Sequence, residues 1–209
     1  MKSNSKYIYP IITIIYMVGI VGMSLPQTHN LFVSLSVTNI LMAIVLLLFY
    51  HKGFNANFIA KAITVAVAGF LVEVAGVKTG LIFGVYHYTN VLGWRLFDVP
   101  LLLGLNWFFM VYCSVQIARL FKVALIPTAL LSGLFMVIYD VALEPNAIAL
   151  NYWQWAGNTI PLQNYIAWFG FGTLFSLFFA YKNKLQASTM ALFLYTIQIV
   201  FFVALIILR

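Results

Sequence analysis

The chain has four acidic residues. Glu73 and Asp98 lie in one stretch, and Asp140 and Glu144 in another. Asp140 and Glu144 are four residues apart, so a continuing helix sets them on one face. Two carboxyls withdrawn from water and placed side by side favour sharing a proton, which makes the pair a proton donor at neutral pH. Glu144 precedes Pro145, which also fits a wetted helix end, and Asp140 could instead bond a neighbouring helix. Glu73 sits in an apolar run about one turn before Lys78. It either pairs with that lysine at the membrane interface or faces the same interior as Asp140. Asp98 stands before Val99-Pro100, an arrangement that suits a helix N-cap.

Aromatic residues gather around the acids. Phe83, Tyr86, Tyr88, Trp94, Trp107, Trp153, Trp155 and Trp168 lie in or beside the segments that follow them. An interfacial aromatic belt accounts for part of this set. The opposite ends of the apolar runs carry few Trp or Tyr, so a symmetric belt does not account for all of it. Facing a shared interior, such rings line the path of an apolar ligand and stabilise a cation by about 0.5–2 kcal/mol per contact. No metal or other cofactor is expected. The three histidines, His29, His51 and His87, fall on different sides of the membrane, and HExxH, CxxC and DxxxD patterns are absent. Gly76, Gly80, Gly84 and Gly93 match no phosphate loop and suit turns or re-entrant backbone. No Ser-His-Asp motif is present. Cys113, the single cysteine, lies in an apolar run as a small core residue.

The elements that must hold these residues are apolar helices. Of 209 residues 64% are hydrophobic and 7% charged, against roughly a quarter charged in ordinary soluble domains. The composition predicts one integral membrane domain over residues 1–209, with the chemistry-bearing part at 73–168. A span needs about 20 apolar residues. Seven runs qualify: Tyr7–Leu25, Leu31–Phe49, Ile59–Val77, Val99–Ala118, Val123–Leu143, Asn164–Tyr181 and Ser188–Leu208. They are too continuous for barrel strands, so the expected fold is an all-α polytopic bundle of about seven transmembrane helices. Pro10 and Pro127 fall in first turns, where proline is tolerated. The first run follows Lys2 and Lys6 like a signal peptide. It exceeds a signal core of roughly 7–15 residues and lacks an A-x-A-like site, so it reads as a retained span.

The formal net charge is +7. The cations are scattered singly between apolar runs, which points to membrane topology and not to nucleic acid. With the N-terminus inside, Lys2, Lys6, Lys52, Lys61, Arg119, Lys122, Lys182 and Lys184 fall on the inner side, and Lys78, Arg95 and Arg209 on the outer. This bias orients the chain in the cytoplasmic (inner) membrane, with the segments after Glu73 and Asp140 both outside. A P-L-x5-W-F pattern occurs twice, at Pro100–Phe108 and Pro161–Phe169. Each copy follows an aromatic loop and an acid-tipped helix, as two parallel units would.

Those residues resemble a known family. Glu73-x-x-Gly76-x-x-x-Gly80-x-x-Phe83-Gly84-x-Tyr86-x-Tyr88, Leu92-Gly93, Val99-Pro100 and Trp107 form one block. Asp140-x-x-x-Glu144-Pro145-x-Ala147, Trp153-x-Trp155, Pro161-Leu162-x-Asn164 and Trp168 form the second. Together they resemble the carotenoid biosynthesis membrane proteins, which include carotenoid 1,2-hydratases such as the bisanhydrobacterioruberin and γ-carotene hydratases. The family often has Asp-Pro where this chain has Glu144-Pro145, which keeps a carboxylate. It often has Gly-Val-Pro at Asp98-Val99-Pro100 and at Thr159-Ile160-Pro161, which weakens a catalytic role for Asp98.

The resemblance implies addition of water to the terminal C1=C2 bond of an acyclic or monocyclic carotenoid dissolved in the bilayer, without a cofactor. Asp140, Glu144 and Glu73 would be the catalytic carboxyls. Tyr86, Tyr88, Trp107, Trp153, Trp155, Asn164 and Trp168 would line the substrate site, with Asn164 or Tyr86 placing the water. A proton-coupled transporter using the same acids and a non-catalytic carotenoid-binding protein are the alternatives. The sequence names neither the exact carotenoid nor the oligomeric state.

Overall fold

Long runs of Leu, Ile, Val and Phe have no water to satisfy their backbone in a bilayer, so they close their own hydrogen bonds as helices. The computed structural model describes residues 5–183 and 185–209. Lys2 and Lys184, two of the cations assigned to the inner side, lie outside the described residues. The helices are α1 (Ser5–Ser24), α2 (His29–Ser34), α3 (Ser36–Phe49), α4 (Ala56–Thr79), α5 (Leu102–Ala118), α6 (Leu125–Ala149), α7 (Leu162–Ala180) and α8 (Thr189–Ile207). Among the described residues four helical segments are long and apolar enough to cross a membrane: Tyr7–Ser24, Ala56–Thr79, Leu125–Ala149 and Thr189–Ile207. The protein is therefore membrane-integral.

All seven expected runs are helical, with shifted ends. The second run is broken at Leu35 into α2 and α3, and α3 has only 14 residues. Helix α1 starts before Tyr7, which puts Pro10 inside it and not in its first turn. Helix α6 runs past Glu144 and carries Pro145 inside. Next to that proline, Asn146 Nδ2 donates to the Ala142 carbonyl (2.8 Å) and, across to α8, to the Phe202 carbonyl (3.0 Å).

Short strands stand between the helices: β1 (Tyr86–Tyr88), β2 (Arg95–Leu96), β3 (Val99–Pro100) and β4 (Trp153–Trp155). Strands β2 and β3 form a hairpin, with Leu96 opposite Val99. Phe97 and Asp98 turn its corner with φ of 54° and 69°, the two positive angles of a type I′ turn. Asp98 is therefore a turn residue and not the expected N-cap; the residue before α5 is Leu101. Its carboxylate pairs with Lys78 on the exposed rim. The hydrogen bond and charge of Lys78 hold it below the usual carboxylate range.

The helices run alternately between two ends of the bundle. At one end His51 Nδ1 meets the Tyr112 hydroxyl (2.7 Å), Gln116 Nε2 donates to the Gln186 carbonyl (3.0 Å), and Arg119 donates to the Asn183 carbonyl (3.2 Å). At the other end lie the strands and the Tyr152 hydroxyl, which donates to Ser36 Oγ (2.6 Å). Within the bilayer helices associate through close packing at small residues. A Cβ on Gly104 of α5 would sit 2.7 Å from the Ala66 carbonyl oxygen of α4, and one on Gly69 would meet Trp107 Cβ at 2.4 Å. These contacts set the α4–α5 spacing that brings Trp107 to Glu73. Gly104→Val should push α5 away from α4 and cost about 1–3 kcal/mol. The check is a lower melting temperature in detergent than for the same change at lipid-facing Leu105.

Candidate active site

The site is built by two units of the same layout. In the first, α4 carries Glu73, β1 follows, and α5 carries Trp107. In the second, α6 carries Asp140 and Glu144, β4 follows, and α7 carries Asn164 and Trp168. Strands alternate their side chains, so Tyr-His-Tyr and Trp-Gln-Trp each send two rings to one face. Strands β1 and β4 pair antiparallel, with Tyr86 opposite Trp155, His87 opposite Gln154, and Tyr88 opposite Trp153. The ribbon itself has an approximate two-fold at His87 and Gln154, where the two units meet. All four aromatic rings are buried, and His87 is exposed.

Two glycines make the approach possible. Gly80 ends α4 in the left-handed conformation (φ 66°), its N–H returning to the Gly76 carbonyl. Gly84 has φ 113°, and a Cβ there would lie 2.6 Å from Pro161 Cγ. The loop after α4 thereby packs directly against the start of α7.

Glu73, Asp140 and Glu144 are 3%, 1% and 2% exposed. The structure brings all three to one cavity. Glu73 is not paired with Lys78. Its Oε2 accepts from the Tyr86 and Tyr88 hydroxyls, both at 2.7 Å, and its Oε1 from Trp107 Nε1 at 2.9 Å. Burial, and then the charge of Glu73, push both tyrosine hydroxyls above their ordinary value, so they remain donors. Glu144 is held in the same way. Its Oε2 accepts from Trp155 Nε1 (2.8 Å) and Trp153 Nε1 (3.1 Å), and its Oε1 from Asn164 Nδ2 (3.3 Å).

Asp140 differs. Asn164 Nδ2 donates to its Oδ2 at 2.7 Å. Its Oδ1 is buried and has no hydrogen-bond partner among the described residues. Both oxygens of Glu73 and of Glu144 thus accept from neutral donors, and the third carboxyl, Asp140, presents a bare oxygen.

The cavity is partly open to the outside. Glu73, Asp140, Glu144, Tyr86, Tyr88, Trp153, Trp155, Asn164 and Trp168 all line it. Trp107 stands one layer behind. It is fully buried and stacks on Trp168 with ring centroids 4.4 Å apart and planes 8° from parallel. Trp94 is 89% exposed and takes no part. No group of three or more His, Cys, Asp or Glu side chains suited to a metal ion occurs among the described residues.

Sequence reasoning missed the ribbon and the cavity wall from α1, α3 and α8, including Tyr16, Asn39 and Gln198. A signal for the ribbon is present in the spacing. Tyr86 and Tyr88 stand 13 and 15 residues after Glu73, and Trp153 and Trp155 stand 13 and 15 after Asp140. By that spacing Glu73 and Asp140 are equivalents, and Glu144 is the addition of the second unit.

No curated protein and no solved structure matches the chain. A model of one family does match, over residues 31–209, so it takes in both acid-bearing units but not α1. The chain belongs to the carotenoid biosynthesis protein family.

Proposed function

We propose that the protein is a carotenoid 1,2-hydratase, a cofactor-independent lyase in which Asp140 is the proton donor. The observation that carries this reading is the bare Oδ1 of Asp140 in a cavity whose two other carboxyls are saturated by donors. An alkene is a poor proton acceptor, so the donor must hold its proton with no better acceptor nearby. Asn164, which donates to Oδ2, leaves the proton on Oδ1. The proton passes to the less substituted carbon of the terminal C1=C2 bond, and the positive charge forms on the tertiary carbon. Trp155, Trp168 and the carboxylates of Glu73 and Glu144 face that charge across the cavity. Water adds to the cation and returns a proton to Asp140, directly or through Glu144, which closes the cycle without an outside acid.

A transporter would need a polar path through the other half of the bundle. Phe58, Phe108, Tyr112 and Phe179 pack against one another there, with ring centroids 6.0–6.3 Å apart, which favours the enzyme. The chain crosses the cytoplasmic membrane seven times with its N-terminus inside. Lys52, Lys61, Arg119, Lys122 and Lys182 at one end of the bundle, against Lys78, Arg95 and Arg209 at the other, support this orientation. Reporter fusions ending at Lys182 and at Arg209 should lie on opposite sides; a shared side rules out seven crossings.

The activity is tested by expression in a cell that makes lycopene or γ-carotene, with mass analysis of the pigments for gained water. Asp140→Asn keeps the size and the bond to Asn164 but has no acid proton. It should lower hydration by about 10²–10⁴-fold or more while the protein still folds and retains pigment. Near-normal product from that variant would remove Asp140 as the donor. Glu73→Gln should behave differently. It sets an NH2 group either against the Trp107 N–H, donor facing donor, or against the tyrosine hydroxyls, whose own protons then lose their acceptor. The expected cost is about 1–3 kcal/mol of stability per stranded group, seen as a lower melting temperature with hydration reduced less than in Asp140→Asn.

A further inference from the structure

The cavity wall formed by α1, α3 and α8 carries polar groups that the proton transfer does not use. The Tyr139 hydroxyl donates to Gln198 Oε1 at 2.5 Å, and Gln198 Nε2 donates to the Tyr16 hydroxyl at 3.0 Å. The Asn39 amide lies beside the same Tyr16 hydroxyl. All four residues line the cavity, amid Ile40, Phe201 and Phe202. Tyr16 and Gln198 are 2% and 5% exposed, while Asn39 is half-buried.

The hydrogen bonds run one way, from phenol to amide to phenol. The Tyr16 oxygen accepts from Gln198, and whichever way Tyr16 bonds Asn39, the pair keeps an O–H or N–H donor to give. Such groups are costly at this depth unless they meet polar partners. None of Tyr16, Asn39 and Gln198 is charged. The cluster's chemistry suits a small neutral oxygen that accepts from the donor left on the Tyr16–Asn39 pair.

We propose that Tyr16, Asn39 and Gln198 form a subsite for a neutral oxygen, hydroxyl or water, of the molecule in the cavity. Two sources fit the same chemistry. One is the water that adds to the carbocation and becomes the hydroxyl of the product, which rests on the hydratase reading. The other is an oxygen substituent that the carotenoid already carries on entering, which does not.

The test uses the purified protein in detergent and two carotenoids with the same polyene, one a hydrocarbon and one bearing a tertiary hydroxyl at its end. Binding is read from quenching of tryptophan fluorescence. Tyr16→Phe and Asn39→Leu should each weaken binding of the hydroxylated carotenoid about three- to tenfold, the worth of one neutral hydrogen bond. Affinity for the hydrocarbon should stay unchanged. Turnover then separates the sources. If the subsite holds water, both variants slow hydration of the hydrocarbon; if it holds a substituent, only oxygenated substrates are affected. A wild-type protein that prefers the hydroxylated pigment yet never hydrates either would sink the hydratase reading and leave the subsite standing. Unchanged binding of both pigments by both variants, with a lowered melting temperature, overturns the proposal and makes the cluster a link between helices only.

Discussion

Three carboxyls buried together without a cation are the constraint on which this structure depends. Lys78, the basic residue nearest Glu73 in the chain, is spent on the exposed Asp98, and no salt bridge reaches Glu73, Asp140 or Glu144 among the described residues. A buried carboxyl needs hydrogen bonds to offset its lost hydration. Here neutral donors supply them: two phenols, three indoles and one amide. Four of those donors sit on the β1–β4 ribbon, whose alternation points all four rings inward. The ribbon therefore walls the cavity and supplies donors to Glu73 and Glu144 at once.

The approximate two-fold makes the departure from symmetry informative. Glu73 and Asp140 stand the same number of residues before their strands, but in its contacts Glu144 is the counterpart of Glu73. Glu73 receives both side chains of its own strand. The second unit adds Glu144 one turn beyond Asp140, and Glu144 takes both tryptophans of β4. Asp140 is also one methylene shorter than Glu73. It is left with Asn164 alone. A duplicated layout thus yields two saturated carboxyls and one that is not, by shifting an acid by one helical turn.

Much of this was legible in the sequence. Long apolar runs admit no structure but helices in a bilayer, so the helical bundle followed from composition. The i, i+4 spacing of Asp140 and Glu144 held because the helix continued through Pro145, which periodicity alone does not reveal. The three-residue strands were too short to stand out, although Tyr-His-Tyr and Trp-Gln-Trp have the period of two that strands require. Asp98 misled because a carboxylate before X-Pro suits an N-cap and a tight hairpin equally; the positive φ at Phe97 and Asp98 chose the hairpin. Tyr16, Asn39 and Gln198 gave no sign because isolated polar residues in apolar helices carry no spacing that joins three distant segments.

The choice of neutral donors also bears on the proposed chemistry. An arginine or lysine could saturate Glu73 or Glu144 more strongly, but it would bring positive charge to the cavity in which a carbocation must form. In a low-dielectric interior that repulsion is large. Indole and phenol donors satisfy the carboxyl oxygens without adding a positive charge. Their ring faces add the attraction of a π cloud for a cation. Proton transfer from Asp140 would then create a carboxylate beside the new cation, in a cavity already biased toward positive charge. The carboxylate near the cation favours both capture by water and return of the proton, and what decides between them is whether a water is held on the tertiary carbon when the cation forms.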